Sequence, residues 1–200
     1  MQTMGMLAPL AAAAALAVSP VTAADLGASY HAGCPVPPAE LRLVQLRYWG
    51  FDGRGHDGAL VVNRAVVAQV QTVFSRLYAA RFPIRRMETI DAYGGSDRRS
   101  MAADNTSAFN CRYASAPGPK HWSMHAYGRA IDVNPVENPY IQGRYVSPPA
   151  GAKFVDRGSA RAGMALSGGV LVRAFDAVGW GWGGRWSGAF DYQHFSTNGR

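Results

Sequence analysis

The sequence predicts an α+β fold: a single compact domain with a small antiparallel sheet flanked by helices. Helical and strand periodicities alternate along the chain without a regular βαβ rhythm. The composition is loop-rich, with 23 Gly and 12 Pro. Two hundred residues, 48% of them apolar, suffice for one buried core and are too apolar for disorder.

Residues 1–24 read as a secretory leader. Met6 to Val18 is nearly unbroken Leu and Ala, Ser19-Pro20 breaks the run, and Val21-Thr22-Ala23-Ala24 offers small residues for cleavage. No Lys or Arg precedes the run. The positive charge of a leader then falls to the α-amino group or to a start further upstream. The run is short for a membrane span, and no second one follows, so the mature chain is expected to be secreted or held at the cell wall.

Residues 25–40, with Pro35, Pro37 and Pro38, read as an extended arm. Residues 41–200 make the domain. Leu41 to Phe51 alternates apolar and polar residues as a strand does, residues 52–58 form a turn, and Ala59–Val62 is the return strand. Asn63 caps a helix to about Arg81, with Val66, Val70, Val73, Phe74, Leu77 and Tyr78 on its buried face. Phe82-Pro83 ends that helix. Residues 84–90 suit a strand, 91–106 a polar loop, 107–113 a short strand and 128–133 a turn into a strand. Residues 134–165 form a long Pro- and Gly-rich connection, of a length that is often functional. Gly168 to Val178 is a short helix that turns Val170, Leu171, Ala174, Phe175 and Val178 inward. Residues 191–196 are the last strand.

The two cysteines, Cys34 and Cys111, are expected to pair, as two thiols in an exported chain usually do. The formal charge of +7 is spread along the chain, with Arg85-Arg86 and Arg98-Arg99 as its adjacent pairs. With a leader present, that charge suits an anionic cell envelope better than nucleic acid.

The chemistry concentrates in Ser123-Met124-His125-Ala126-Tyr127-Gly128-Arg129-Ala130-Ile131-Asp132 and, later, Asp191-Tyr192-Gln193-His194. Two imidazoles and a carboxylate, His125, Asp132 and His194, can hold one zinc ion and leave a fourth position for water. Such a metal makes water a nucleophile near neutral pH, and a nearby carboxylate must carry its proton. Asp191, three residues before His194, is placed for that general-base role. His31, His56 and His121 lack partners at ligand spacing and read as cleft-lining or solvated. Ser123 has no GxSxG context, so it reads as an orienting or substrate-contact group rather than a nucleophile. Tyr127 and Tyr192 flank the ligands and suit substrate orientation. Trp180 reads as core, whereas Trp182 and Trp186 suit either a sugar- or peptide-stacking wall or core packing around the final strand.

The pattern resembles the M15 metallopeptidases, the D-alanyl-D-alanine carboxypeptidase and L-alanyl-D-glutamate endopeptidase group. Their signature SxHxxGxAxD is met by Ser123, His125, Gly128, Ala130 and Asp132, and their acidic-x-x-His element by Asp191 and His194. The resemblance runs from about residue 105 to 196. It implies a hedgehog-like zinc peptidase fold with the metal at the sheet, ligation by His125, Asp132 and His194, and catalysis by Asp191. An Asp in place of a Glu leans towards the endopeptidase-like branch. The family also uses an upstream arginine on the scissile carbonyl. Its usual Tyr-Arg-Ser context is absent, and Arg112 is the first candidate, ahead of Arg98 and Arg99.

The resulting expectation is an exported, monomeric peptidase with one Zn2+ per chain, cutting peptide bonds in peptidoglycan stem peptides. Ser123, Tyr127 and Trp182 are its expected substrate contacts. The alternatives are a D,D-carboxypeptidase or dipeptidase releasing terminal D-Ala, and a non-catalytic zinc-containing wall-binding module.

Overall fold

Period-two burial from Val44 through Gly50 makes one long strand the spine of the largest sheet. The structure, a computed structural model, describes residues 16–115 and 119–200. The spine is β2 (Leu41–Gly50). β1 (Ala17–Pro20) and β3 (Gly55–Asn63) flank it antiparallel, and β4 (Pro83–Ile84) adds a short parallel pair. The hairpin turn is tighter than the sequence suggests, because β3 begins at Gly55.

Most of the expected leader, residues 1–15, lies outside the described residues. Its last part holds β1, and Thr22 caps α1 (Ala23–Leu26) through a capping box with Asp25. The expected extended arm is instead a series of turns, which starts in α1 and ends in a 3-10 turn over Pro38–Glu40. Leu26, Leu41, Val61, Phe109 and Cys111 share a small second core, which the Cys34–Cys111 disulfide closes.

Asn63 caps as expected, its Oδ1 accepting from Ala65 N at 3.0 Å. One 3-10 turn intervenes before α2 (Val67–Ala79). Val70, Val73, Phe74 and Leu77 form its buried stripe against β2. The region after it is more broken than its periodicity suggests. β5 (Arg86–Met87) pairs in parallel with β6 (Asn105–Thr106), and between them lies α3 (Asp97–Ala102), capped by Ser96. Ser107 and Tyr113 form single bridges rather than a strand.

β7 (Ala130–Asp132) carries the first motif into a second sheet. The expected long connection folds as a hairpin, β8 (Tyr140–Gln142) and β9 (Tyr145–Ser147). α4 (Val170–Asp176) buries Leu171, Val172, Ala174 and Phe175, while Val170 at its first position is 38% exposed. The last strand is split. β11 (Phe190–Asp191) joins the hairpin in the order β11-β8-β9, and β12 (His194–Ser196) lies between β7 and β10 (Gly181–Trp182). Phe175 stacks on Phe195, ring centroids 4.1 Å apart, and ties α4 to the site strand.

Two buried asparagines hold the turn after β7. Asn134 Nδ2 donates to Pro83 O and Gly163 O, and Asn138 Nδ2 donates to Val133 O and Gly163 O. Beside them Glu137 is enclosed with Asp104, whose Oδ1 accepts from Val136 N. Burial, then the hydrogen bond and charge of Asp104, push the Glu137 carboxyl up to about 8, against Arg85. A raised folded-state pKa means this group's contribution to stability is full below the unfolded value near 4.5 and is lost as pH rises to about 8. Glu137→Gln is therefore expected to raise the melting temperature more at pH 9 than at pH 5, read by thermal scans. An equal shift at both pH values would contradict the raised Glu137 carboxyl.

The disulfide closes a long loop, its cysteines 77 positions apart. The Cys34→Ser, Cys111→Ser pair is expected to cost roughly 4 kcal/mol in denaturant unfolding on the chain-entropy estimate.

Candidate metal centre

Backbone chemistry places the first ligand. Ser123 Oγ accepts from His125 N at 3.3 Å and caps a 3-10 turn over Met124–Tyr127. Gly128 ends the turn at φ +64, where a Cβ would sit 2.6 Å from Asn63 N. The left-handed angle and the close backbone both require glycine there. The chain then enters β7 and delivers Asp132. Antiparallel pairing of β12 with β7 sets His194 opposite Asp132 in register.

Three side chains meet as the sequence predicts. His125 Nε2 lies 3.2 Å from Asp132 Oδ2, His194 Nδ1 lies 3.1 Å from Asp132 Oδ1, and the two nitrogens are 3.2 Å apart. All three residues are buried, at 2%, 4% and 5% exposure. Four ligands at about 2.0–2.1 Å in a tetrahedron stand about 3.3–3.4 Å from one another. The two imidazoles face different oxygens of Asp132, and one ligand atom from each of the three residues lies within 4.8 Å of the others.

The ring nitrogens facing away from the triangle have carbonyl acceptors. His125 Nδ1 donates to Ala108 O at 2.6 Å, and His194 Nε2 donates to Arg200 O at 3.1 Å. These bonds fix the tautomers and leave His125 Nε2 and His194 Nδ1 with lone pairs towards the centre. The donor set, its spacing and its outer hydrogen bonds fit a zinc ion.

The electrostatics agree. Burial opposes the charge on Asp132, but the charges and hydrogen bonds of His125 and His194 outweigh it and hold the carboxyl far below its usual range. Burial also opposes a charged His194, and the bond to Asp132 overturns that and raises its pKa. Asp191 is pushed up to about 6, chiefly by burial and then by the charge of Asp132. Its Oδ1 is enclosed without a hydrogen-bond partner among the described residues. A carboxylate held beside the ligands and short of partners suits proton transfer.

The remaining expected residues divide. Ser123 is 8% exposed and orients the His125 turn. Tyr127 packs on the second core, and its carbonyl accepts from Asn63 Nδ2. Arg112 pairs with Asp97 at 3.1 Å, and its carbonyl accepts from Ser123 N. Arg99 reaches Gly94 O, and Arg98 is exposed. Trp182 was expected at substrate, yet it is 5% exposed, donates to Tyr192 O at 2.9 Å and lies among the core residues with Phe195. Trp180 is core, as expected, donating to Gln69. Trp186 is the tryptophan beside the centre, 5.5 Å from the His194 ring. His56 pairs with Asp52 at the surface, and His121 bonds Pro119 O. His31 sits by Cys34 and Cys111, whose sulfurs are joined to each other.

Two open depressions mark the surface. The larger, about 770 Å³, runs between β1 and residues 87–89 and contains none of the ligands. The smaller, about 330 Å³, is lined by Trp182, Arg185, Trp186 and Arg200. Its Trp186 and Arg200 both touch His194, so it borders the metal side.

Sequence reasoning missed the two carbonyl acceptors and the hairpin that braces Asp191. A carbonyl has no signature in residue type. The hairpin had one faint signal, the Gly143-Arg144 turn between short apolar stretches.

Residues 117–197 match the family model for D-alanyl-D-alanine carboxypeptidase. That span contains the three clustered ligands and Asp191. No curated protein and no solved structure matches the chain.

Proposed function

We propose that the chain, whose residues 117–197 match the family model for D-alanyl-D-alanine carboxypeptidase, is a zinc-dependent M15-type hydrolase of peptidoglycan stem peptides with Asp191 as its general base. The observation that carries the reading is the buried His125, Asp132 and His194 triangle with both outer ring nitrogens hydrogen-bonded.

His125, Asp132 and His194 would hold the ion. When bound, zinc supplies Lewis acidity and lowers the pKa of the attacking water. Asp191 accepts the proton lost by that water and returns it to the departing amine nitrogen. Ala108 O and Arg200 O keep the two imidazoles from rotating, so the ligand atoms need no rearrangement. Arg112 is the proposed donor to the scissile carbonyl oxygen, a role that requires it to exchange its bond to Asp97 for one to substrate. Ser123 orients the turn that carries His125, and Tyr127 anchors that turn on the second core. Export through residues 1–24, action at the cell wall and a monomeric state complete the proposal, and a pI of about 9.8 suits an anionic envelope.

The test is mass spectrometry of peptidoglycan fragments incubated with the zinc-loaded protein. A new discrete mass supports the reading and names the bond cut. Intact fragments at full zinc occupancy would overturn it. The matched family's description favours one second reading, release of a terminal D-Ala. Comparing a free stem peptide with its C-terminal amide separates the two, since an exopeptidase facing a free carboxylate loses the amide.

A further inference from the structure

The strand register puts a second group of residues on the face that carries Asp191. In β11-β8-β9, Asp191 stands opposite Tyr140, Tyr140 opposite Ser147, and Gln142 opposite Tyr145. Residues opposite or two apart share a face of a sheet. Asp191, Tyr140, Gln142, Tyr145 and Ser147 therefore lie on one face, and Phe190, Ile141 and Val146 on the other.

This face is built and open. Tyr140 Oη donates to Gln142 Oε1 at 3.2 Å, which fixes the phenol and leaves the carboxamide N–H groups without a partner among the described residues. Tyr145 meets the edge of Tyr140, centroids 6.3 Å apart at 64°, and is 61% exposed. On the opposite face Phe190, 40% exposed, stacks on Tyr192, over whose ring the Arg157 guanidinium lies at 4.4 Å. Beyond its edge contact with Tyr140, the Tyr145 ring is open to solvent on the face that carries Asp191.

Its chemistry selects the ligand. Apart from Asp191 the face offers phenols, a carboxamide and a hydroxyl, all neutral. The hairpin's single charge, Arg144, lies in its turn. Free carboxylates of a peptide would call for cations on this face. A pyranose ring instead lays its C–H face on an aromatic plane and gives its hydroxyl and acetamido groups to neutral donors and acceptors.

We propose that Tyr140, Gln142 and Tyr145 form a saccharide subsite beside Asp191, so that the preferred substrate is a stem peptide still attached to its amino sugar. The inference rests on the peptidase reading for its catalytic consequence and on the hairpin alone for its binding consequence. Tyr145 lies two strands and two residues from Asp191, about 12 Å by ordinary sheet spacings. An extended peptide covers that span in about three residues. The bond cut should then lie close to the sugar rather than at the far end of the stem.

The experiment has two arms on the full chain. Isothermal titration with an amino-sugar disaccharide carrying no peptide should show binding that weakens about tenfold in Tyr145→Ala. Competition kinetics should show a kcat/KM ratio of sugar-linked to free stem peptide of about ten, falling towards one in that variant. Gln142→Ala, at an exposed position, is the second variant should the first misfold. A disaccharide that binds both variants as it binds the unaltered protein, or binds none of them, would overturn the subsite. Tyr145-dependent binding with neither peptide hydrolysed would uphold the subsite and defeat the peptidase reading instead.

Discussion

Asp132→Ala is expected to empty the metal centre and abolish hydrolysis. Metal analysis should read close to no zinc in the variant and one per chain in the unaltered protein. The carboxylate is 4% exposed and touches both imidazoles, so it is at once a proposed ligand and the counter-charge of the other two. Loss of an outer-sphere partner typically costs 10–100-fold in affinity or activity, and loss of a ligand from a three-residue site should exceed that. The metal-free chain gives an independent readout. His194 has a raised pKa, so its pairing with Asp132 stabilises fully below the unfolded value near 6.5 and fades as pH climbs past the folded one. Asp132 has a lowered pKa, so its share is present above 3.8 and fades as pH falls. The apo protein should therefore be relatively most stable between those limits, and Asp132→Ala should flatten that maximum. Retained zinc and activity in the variant would remove the proposed centre.

Protons and metal compete for the same nitrogens, so zinc affinity should also rise with pH through the His194 titration.

The meeting of His125, Asp132 and His194 was legible because the motif encodes its own geometry. Ser123 caps, Gly128 turns and Ala130–Asp132 extends, so spacing in sequence becomes spacing in space. His194 was legible through Asp191 and Phe195 around it, although the strand predicted there is split at Tyr192-Gln193. That split lets Asp191 pair with Tyr140 while His194 pairs with Asp132. Trp182 was misread because glycines on both sides suggest an exposed ring. In the structure those glycines let other backbone close in, with Asp191 O only 2.5 Å from where a Cβ on Gly183 would lie. The small sheets were hardest to see, since two- and three-residue strands are too short to show alternation. Their register depends on partners distant in sequence, as β5 with β6 shows. The long β2-β3 hairpin and the α2 stripe were visible because each repeats its period several times.

Asp191→Asn is expected to separate chemistry from both metal binding and folding. The amide keeps the size of the carboxyl and cannot take the proton from water, so kcat should fall by about 10²–10⁴-fold while zinc stoichiometry stays at one. The same change should stabilise the metal-free chain at neutral pH. Asp191 has its folded pKa pushed up to about 6 by burial and the charge of Asp132, with one oxygen unpartnered. A raised carboxyl favours the fold fully below 3.8 and loses that advantage by about pH 6, so at pH 7 the unaltered apo protein bears the whole cost of a buried charge. Asparagine carries no such charge, and its melting temperature should exceed that of the unaltered apo protein at pH 7 but match it near pH 3. Zinc should narrow the difference, since a cation beside Asp191 offsets the charge that burial opposes. A general base held at the expense of stability predicts this opposition of lower turnover and higher melting temperature. A merely structural Asp191 predicts that both fall together. Thermal scans with and without zinc, set beside single-turnover rates on one substrate, decide between them.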